Sequence, residues 1–442
     1  MNLRLILLLL GLFLSLSTSA DRTTNNCSEV WVPTLNPQML ESGLGVNIHF
    51  TNPKPGEIKL LAEAGFRWVR MDLNWDATER ERGQYDFTAY DRLMSELDQF
   101  NIRALFILDY GNSIYDAGAP PRTDAARQAY VRWAVAAAKH FQSRGVIWEI
   151  YNEPNNSMFW PPKPKAAEYI ALALAAGRAF RATVPNEKLI GPATSTIDFA
   201  FLEACFKAGL LEYWSAVSVH PYRQSGPEEA ASDYCRLREL IARYRTGSGR
   251  DGVSASTSNS SNRDIPIISG EWGYSSAWRN LDEAKQSALL AREMLTNAAN
   301  GIPISIWYDW RDDGSDPGEA EHHFGIVRNA YQAGRNPIYE PKPAYLSAKT
   351  LSGFLNGYKF AERLAVGSND DYVLVFAKGG ERRIAAWTTL PAAHRITIPL
   401  QAGQYTLTRH IGESRNALSA NQSGVSIEVS TAPVYLARVT TE

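Results

Sequence analysis

Two glutamates each follow a short apolar segment of the chain. Glu153 lies in the stretch Trp-Glu-Ile-Tyr-Asn-Glu-Pro-Asn, and Glu271 lies in the stretch Ile-Ser-Gly-Glu-Trp-Gly. Two carboxylic acids on opposite sides of one site can protonate a leaving oxygen and capture the cationic carbon that results. The two stretches therefore predict the acid–base and nucleophilic chemistry that cleaves glycosidic bonds.

Such a pair needs a scaffold that brings distant segments together. From about Gly43 to Asn356, short β-rich runs that end in polar residues alternate with longer stretches of helical periodicity. The predicted strands are Val46–Phe50, Trp68–Asp72, Ala104–Leu108, Ile147–Tyr151, Leu189–Gly191, Val217–His220, Ile265–Ser269 and Ile304–Tyr308. The clearest predicted helices are Glu57–Ala64, Asp124–Ser143, Ala166–Ala182 and Leu281–Ala299.

Eight β–α units over about 300 residues predict an α/β protein with a (β/α)8 TIM barrel. A doubly wound sheet is the competing architecture, but it normally carries a glycine fingerprint after its first strand, and none is present here. In a barrel the carboxyl ends of the strands form the catalytic rim. Glu153 after the fourth strand and Glu271 after the seventh would then approach one site from different sides.

Past Asn356 the helical pattern stops, and residues 357–442 predict a small antiparallel β-sandwich domain. Its predicted strands are Tyr372–Ala377, Arg383–Thr388, Arg395–Ile398, Tyr405–Arg409, Val425–Val429 and Val434–Val439. This domain could bind carbohydrate or could support the barrel structurally. Its few surplus tryptophans favour the structural role. The Gly/Ser-rich segment Thr246–Asn262 predicts a mobile loop before the seventh barrel strand.

The first twenty residues have the pattern of a secretory signal peptide. Arg4 precedes an apolar run from Leu5 to Leu16, and Thr18 and Ala20 offer the small residues that signal peptidase reads. The apolar run is too short for a comfortable membrane span. We therefore expect an exported protein, periplasmic or secreted, that begins near Asp21 with an extension over 21–42.

Composition excludes several classes of partner. The formal net charge of −2 indicates neither a basic nucleic-acid surface nor an acidic tail. The three cysteines, Cys27, Cys205 and Cys235, lack metal-like spacing, and an exported protein could pair two of them in any combination. No cofactor is indicated, and a monomer is favoured. The 12 Trp and 20 Tyr suit a core and also suit stacking on sugar rings.

The motifs resemble those of a known group of enzymes. Asn-Glu-Pro after the fourth strand, with a second glutamate at the end of the seventh, is similar to the clan A glycoside hydrolases. Within that clan the stretch around Glu153 and the β appendix most resemble family 39, especially its bacterial exopolysaccharide-degrading members. The resemblance implies that Glu153 is the acid/base and Glu271 the nucleophile. It also implies that Asn152 binds the sugar 2-hydroxyl and that Arg70 holds Glu271 ionised.

Further residues follow from the same resemblance. His220 and Tyr222 match a pair on the sixth strand that lines this subsite, and Trp307 matches a tryptophan that forms the floor under the sugar, with Trp310 as a rival. Glu149 lies inside the fourth strand, so we interpret it as a structural, paired acid.

Weaker candidates lie at the predicted rim. His49 ends the first strand, Asp109 and Tyr110 end the third, Trp272 follows Glu271, and His323 lies in the loop after the eighth strand. Each could contact a sugar or serve in packing. The adjacent histidines of the Glu319–Phe324 stretch invite a metal interpretation, but adjacent side chains point in different directions, so no metal site is predicted.

These features together predict a retaining, endo-acting glycosidase that acts on a secreted or cell-surface polysaccharide. A family 39 exo-acting β-xylosidase and an endoglucanase or mannanase are the alternatives within the enzyme class. A polysaccharide-binding protein on an inactive barrel is the non-enzyme alternative, and the presence of both glutamates disfavours it.

Overall fold

The computed structural model describes residues 43–245 and 265–439. The predicted signal peptide, the N-terminal extension with Cys27, and the segment Thr246–Asn262 lie outside the described residues. None of the described helices is both long and apolar enough to cross a membrane.

The predicted barrel is confirmed. Eight parallel strands close in the order β1 to β8, with β1 paired to β8. Each strand is buried on both faces, by side chains inside the barrel and by helices outside, which explains the nearly continuous apolar runs in the sequence. The strands are β1 Leu44–Asn47, β2 Trp68–Asn74, β3 Arg103–Asp109, β4 Ile147–Ile150, β5 Lys188–Ser195, β6 Ala216–His220, β7 Ile267–Trp272 and β8 Ser305–Trp307.

The α-helices surround the barrel, and their ends follow local sequence signals. Thr123, Asp198 and Asp282 each cap a helix by accepting a hydrogen bond from a backbone N–H of its first turn. The helices are α1 Glu57–Glu63, α2 Trp75–Thr78, α3 Thr88–Asp98, α4 Asp124–His140, α5 Ala166–Thr183, α6 Phe199–Lys207, α7 Ala230–Arg245, α8 Glu283–Ala299 and α9 Pro343–Leu355. Short 3₁₀ helices span Asp116–Gly118, Leu210–Glu212, Pro227–Glu229 and Ala320–His323.

The C-terminal part is antiparallel, as predicted, and has eight described strands rather than six. A six-stranded sheet has the order β14-β13-β16-β11-β10-β9, and β12 pairs with β15. A second apolar core lies between the two sheets. The strands are β9 Lys359–Arg363, β10 Asp371–Lys378, β11 Glu381–Thr388, β12 His394–Ile398, β13 Gly403–Arg409, β14 Ser414–Ala420, β15 Val425–Val429 and β16 Val434–Arg438.

The β domain packs on the barrel through buried contacts. Trp387 of β11 donates its indole N–H to Glu228 at 2.6 Å, and Arg292 of α8 holds the same carboxylate with two bonds of 2.7 Å. The Phe354 ring of α9 stacks on Tyr435 of β16 with 5.0 Å between ring centroids. A buried, fully paired carboxylate at this contact agrees with a supporting role for the domain.

Two cysteines fall within the described residues. Cys205 is a free thiol buried in α6, and Cys235 of α7 is disulfide-bonded. Cys205 is therefore excluded from the predicted pairing, and burial raises the pKa of its thiol well above the ordinary value.

Alternate residues of the strands line the barrel interior, and their character changes toward the carboxyl ends. On β2, apolar Trp68 is followed on the same face by Arg70 and then by Asp72. On β6, Ala216 is followed in the same way by Ser218 and His220. The barrel is thus apolar at its base and polar at the rim, where the candidate site lies.

Candidate active site

The chain leaves β4 in an unusual conformation that presents Glu153. Tyr151 and Glu153 have φ angles of 66° and 44°, in the left-handed region that non-glycine residues rarely adopt. The backbone N–H of Glu153 donates to the carbonyl of Ala193 on the neighbouring β5, at 3.0 Å. Strained backbone of this kind persists where surrounding contacts hold it, and it is concentrated at functional sites.

The structure brings the two glutamates together. One side-chain oxygen of Glu153, one of Glu271 and a ring nitrogen of His220 all lie within 4.8 Å of one another. Retaining glycosidases keep their two carboxyl groups about 5 Å apart, whereas inverting enzymes leave room for a water molecule at roughly 6.5–9.5 Å. The geometry therefore has the retaining spacing.

Arg70 lies at the centre of the site and is fully buried. Its guanidinium donates to Glu149 at 2.7 Å, to Asn152 at 2.9 Å and, with a very short contact, to Glu271. It also lies 3.2 Å from Nε2 of His220. The planar fork of arginine can serve several acceptors at fixed angles, so one side chain orients four others.

Glu149 is the structural, paired acid that the sequence predicts. It is fully buried and accepts hydrogen bonds from Arg70 and from the Ser218 hydroxyl. The adjacent β7 must pass close above this pair, and a Cβ at Gly270 would meet the Ser218 hydroxyl at 2.3 Å. Gly270 is therefore required by the close approach, one residue before Glu271.

Glu271 faces the cleft with both oxygens occupied by donors. Tyr222 donates its hydroxyl to Oε1 at 2.9 Å, and Arg70 donates to Oε2. The side chain remains 13% exposed, so a substrate atom can reach it. Donors on both oxygens hold the carboxylate in one orientation, as a nucleophile requires.

The contact with Arg70 fixes the tautomer of His220. Because a guanidinium only donates, Nε2 of His220 must accept, and Nδ1 then carries the hydrogen and donates to Glu153 at 3.0 Å. Asn156 donates to the other oxygen of Glu153, also at 3.0 Å. Burial raises the pKa of Glu153, but the hydrogen bonds from His220 and Asn156 outweigh burial and hold the pKa below its ordinary value.

This low pKa leads to a prediction for the pH profile. If protonated Glu153 is the acid, kcat/KM falls as the pH rises through its pKa, and removing a donor raises that pKa. Asn156→Ala should therefore move the alkaline limb to higher pH and increase kcat/KM at neutral pH by about threefold to tenfold. Met158→Ala, at an exposed neighbour, is the matched control and should keep the wild-type profile. An alkaline limb in Asn156→Ala that stays or moves to lower pH contradicts this role of Glu153.

The comparisons with known proteins agree with this geometry. A family model described as Cellulase (glycosyl hydrolase family 5) matches residues 40–313, which is more than half of the chain. The chain belongs to glycosyl hydrolase family 5. It is a retaining O-glycosyl hydrolase of clan A, and the predicted clan is thereby confirmed. A search of curated proteins gives no match.

Solved structures share the fold of this family 5 chain. A family 39 glycoside hydrolase from Bacteroides cellulosilyticus WH2 is 23% identical with a TM-score of 0.74, over 91% of this chain and 82% of that one. A monomeric β-xylosidase from Caulobacter crescentus CB15 is 17% identical with a TM-score of 0.61, over 90% and 96%. A family 30 endoxylanase from Clostridium papyrosolvens C71 is 12% identical with a TM-score of 0.62, over 90% and 96%.

The floor of the site needs a correction. Trp307 and Trp310 are both fully buried, and the Trp307 indole donates to the carbonyl of Phe324 at 3.3 Å, so neither ring is open to a sugar. Tyr308 is partly exposed instead. Its backbone N–H donates to the carbonyl of Trp272, the residue after Glu271, at 2.9 Å. Burial, with the carboxylates of Glu321, Asp309 and Glu271, raises the pKa of the Tyr308 phenol well above its ordinary value.

Substitution of Tyr308 and of Trp307 should show which ring lies under the sugar and which belongs to the core. Tyr308→Ala should lower kcat/KM by about tenfold through lost stacking, with little loss of stability. Trp307→Ala should instead lower the free energy of unfolding by about 3–5 kcal/mol, because it leaves a cavity in the core. Steady-state kinetics and urea unfolding of both variants provide the test. If Trp307→Ala had normal stability and a raised KM, Trp307 would be the residue that forms the floor under the sugar.

Some of the other residues that were predicted to contact a sugar reach the site, and others do not. Trp272 is fully buried, so its ring is not open to the cleft. His323 turns away, and its Nε2 contacts the backbone carbonyl of Asp316 at 2.8 Å. Asp109 is also fully buried, whereas Tyr110 accepts a hydrogen bond from Asn152 at 3.1 Å and belongs to the site.

His49 does reach the site, and its side chain is 29% exposed beside Asp309. Burial lowers the pKa of His49, but Asp309 and the neighbouring acids Asp313 and Asp72 outweigh it and raise the pKa to about 9. Glu321, which the sequence analysis did not identify, accepts a hydrogen bond from Tyr308 at 3.2 Å. Burial and nearby Glu271 raise the pKa of Glu321 to about 7. Its place in a loop after β8 gave no periodic signal.

Proposed function

We propose that the chain is an endo-acting glycosidase in which Glu271 is the nucleophile and Glu153 the acid/base. Glu271 attacks the anomeric carbon while Glu153 gives its proton to the leaving oxygen, and a covalent glycosyl ester on Glu271 results. Glu153, now ionised, takes a proton from a water molecule that hydrolyses this ester with a second inversion. The spacing of the two carboxylates, within 4.8 Å, carries this proposal.

The neighbouring side chains fit these roles. Arg70 and Tyr222 donate to Glu271 and orient it, while His220 and Asn156 do the same for Glu153. The Asn152 amide uses one hydrogen on Tyr110 and has a second that can meet the sugar 2-hydroxyl, a contact that strengthens in the transition state.

Endo action is favoured by aromatic rings on two sides of the carboxylates. Tyr110 lies near Asn152 on the β3–β4 side and stacks on Phe159, with ring centroids 5.7 Å apart. On the β7–β8 side, Tyr308 contacts Phe324, which in turn contacts Trp278. Four of these rings, those other than Phe324, are partly exposed, and such rings stack on the apolar faces of sugars. Sites for sugar units on both sides of the scissile bond suit an internal position in a polysaccharide chain.

We further propose that the substrate is a secreted or cell-surface polysaccharide, an exopolysaccharide, and that the protein is exported. The sequence of residues 1–20 supports export, and the disulfide at Cys235 suits an oxidising compartment. N-terminal sequencing of the protein purified from its natural host should show that the mature chain begins near Asp21. An intact Met1 on a cytoplasmic protein would overturn the proposed export and location of the substrate.

The purified protein should be screened against a panel of bacterial exopolysaccharides, xylan, β-glucan and mannan, with products sized over time. Endo action predicts a rapid fall in polymer length and a ladder of oligosaccharides. Release of monosaccharide alone, with polymer length nearly constant, would replace this proposal by exo action. Glu271→Ala is the control for a contaminating hydrolase and should leave every polymer intact.

A further inference from the structure

A second group of potential ligands lies beside the catalytic carboxylates. His49 follows β1 by two residues, Asp309 follows β8 by two residues, and Asp313 lies four residues further on. Because β1 and β8 pair in the closed barrel, these side chains converge at one point of the rim. One donor atom from each of the three lies within 4.8 Å of the other two.

The buried carboxylate of Asp309 has room for further ligands. Its side chain is 1% exposed, and within residues 43–245 and 265–439 neither of its oxygens has a hydrogen-bond partner. A buried carboxylate without hydrogen bonds is costly, and buried charges are normally paired or bound to a metal. Nε2 of His49 lies 3.4 Å from Oδ2 of Asp309, within ion-pair range.

The 3.4 Å between Nε2 of His49 and Oδ2 of Asp309 fits two ligands of one metal ion. Two bonds of about 2.1 Å at a tetrahedral angle place their ligand atoms about 3.4 Å apart. The other three-residue group, Glu153, His220 and Glu271, makes an informative contrast. There each carboxylate already accepts hydrogen bonds from protein donors, so no cation is needed to satisfy it.

We propose that His49, Asp309 and Asp313 form a binding site for a divalent transition metal ion of the zinc type. One imidazole and two carboxylates suit zinc, whereas calcium and magnesium prefer oxygen ligands alone. Asp309 is buried, but His49 is partly exposed and Asp313 is exposed, so an ion can enter from solvent and retain water at its open position.

The surrounding structure can hold such an ion firmly. The backbone N–H of Trp310 donates to the carbonyl of Asn47 at 3.0 Å, which ties the ligand segment after β8 to β1. Asp312 forms a buried ion pair of 2.9 Å with Lys342 and anchors the chain next to Asp313. The bound ion would join the ends of β1 and β8 next to Tyr308, whose ring lies 5.6 Å from that of His49. It would thereby fix one wall of the catalytic cleft.

The test is a calorimetric titration of the untagged full chain, stripped with a chelator and dialysed, with zinc chloride. We expect one saturable site. His49→Gln and Asp313→Asn should each weaken zinc binding at least about tenfold. Glu319→Gln, an exposed acid in the same loop, is the matched control and should bind as the wild type does. Each metal-free variant is checked for folding by thermal unfolding, and Asp313 is chosen because its exposure makes the change harmless to the core.

Two results would overturn the proposal. One is the lack of saturable zinc binding by the wild type at micromolar concentrations. The other is unchanged affinity in both His49→Gln and Asp313→Asn. Glu153→Ala separates this site from the catalytic carboxylates and should keep the wild-type affinity for zinc. Loss of binding in Glu153→Ala, with retention in Asp313→Asn, would place the ion at the carboxylates and reject the site proposed here.

Discussion

Glu271→Ala should abolish hydrolysis of every substrate, with a loss of roughly 10⁴-fold or more, because no covalent intermediate can form without the nucleophile. Initial rates on a natural polymer and on an activated aryl glycoside measure this loss. The variant should keep its fold, since Glu271 is partly exposed and Arg70 retains Glu149 as a buried partner. Azide, added in excess, should take the place of the missing carboxylate and give a product of inverted configuration.

Glu153→Ala should behave differently on the two kinds of substrate. An activated aryl leaving group needs little protonation, so the first step stays fast and the glycosyl-enzyme accumulates, giving a burst and then slow turnover. Hydrolysis of an unactivated polymer should fall by about 10²–10⁴-fold. Azide should restore turnover and give a product of retained configuration, because this anion attacks the intermediate without a general base. Swapped configurations in the two variants would reverse the assigned roles, and near-normal activity in both would exclude the two-carboxylate mechanism.

Arg70→Met should lower the free energy of unfolding by about 3–5 kcal/mol, because it leaves Glu149 as an unpaired charge in the barrel interior. Activity should also be nearly lost, since Arg70 orients Glu271, Asn152 and His220. Urea unfolding at neutral pH measures the stability, and kinetics on an activated substrate measure the activity.

The double variant Arg70→Met/Glu149→Met separates the two effects. Replacing both members of a buried ion pair by apolar side chains is often close to neutral for stability, so the double variant should regain much of the lost free energy. It should stay inactive, because the orienting donor is still missing. Arg70→Lys keeps one charge but not the planar fork, and it should be of intermediate stability and low activity. Wild-type stability in Arg70→Met would show that Glu149 does not depend on this pair.

The barrel and the carboxylate pair could be predicted because their signals are local. Apolar runs of strand length recur at regular intervals, and Glu153 and Glu271 each lie at the end of one such run. Glu149 could be assigned as a paired acid because it lies inside a buried strand, and its contact with Arg70 confirms this.

The floor of the site was assigned one residue too early along the chain. The predicted eighth strand reached Tyr308, whereas β8 ends at the buried Trp307, and the partly exposed Tyr308 is the first residue after the strand. The register of β7 against β8 shifts between Ser269 and Trp272, an irregularity that periodicity does not reveal.

The two β-domain strands missed by the sequence analysis, β9 and β14, are the edges of the six-stranded sheet. Edge strands carry charged and polar residues that discourage pairing with other chains, and β9 reads Lys-Phe-Ala-Glu-Arg. The proximity of His49 to Asp309 also could not be predicted from the sequence. The two are far apart in sequence and meet only because the barrel closes between β1 and β8.

The most direct test of the central proposal is to locate the covalent intermediate. An activated 2-deoxy-2-fluoro glycoside slows both chemical steps, and its ester with the enzyme should accumulate to a level visible by intact-protein mass spectrometry. A sugar that the activity panel identifies as a substrate unit is used for this reagent. We expect one added glycosyl mass, located on Glu271 by peptide fragmentation and absent in Glu271→Ala. An adduct on Glu153, or an enzyme that turns over this sugar with inversion and forms no adduct, would contradict it.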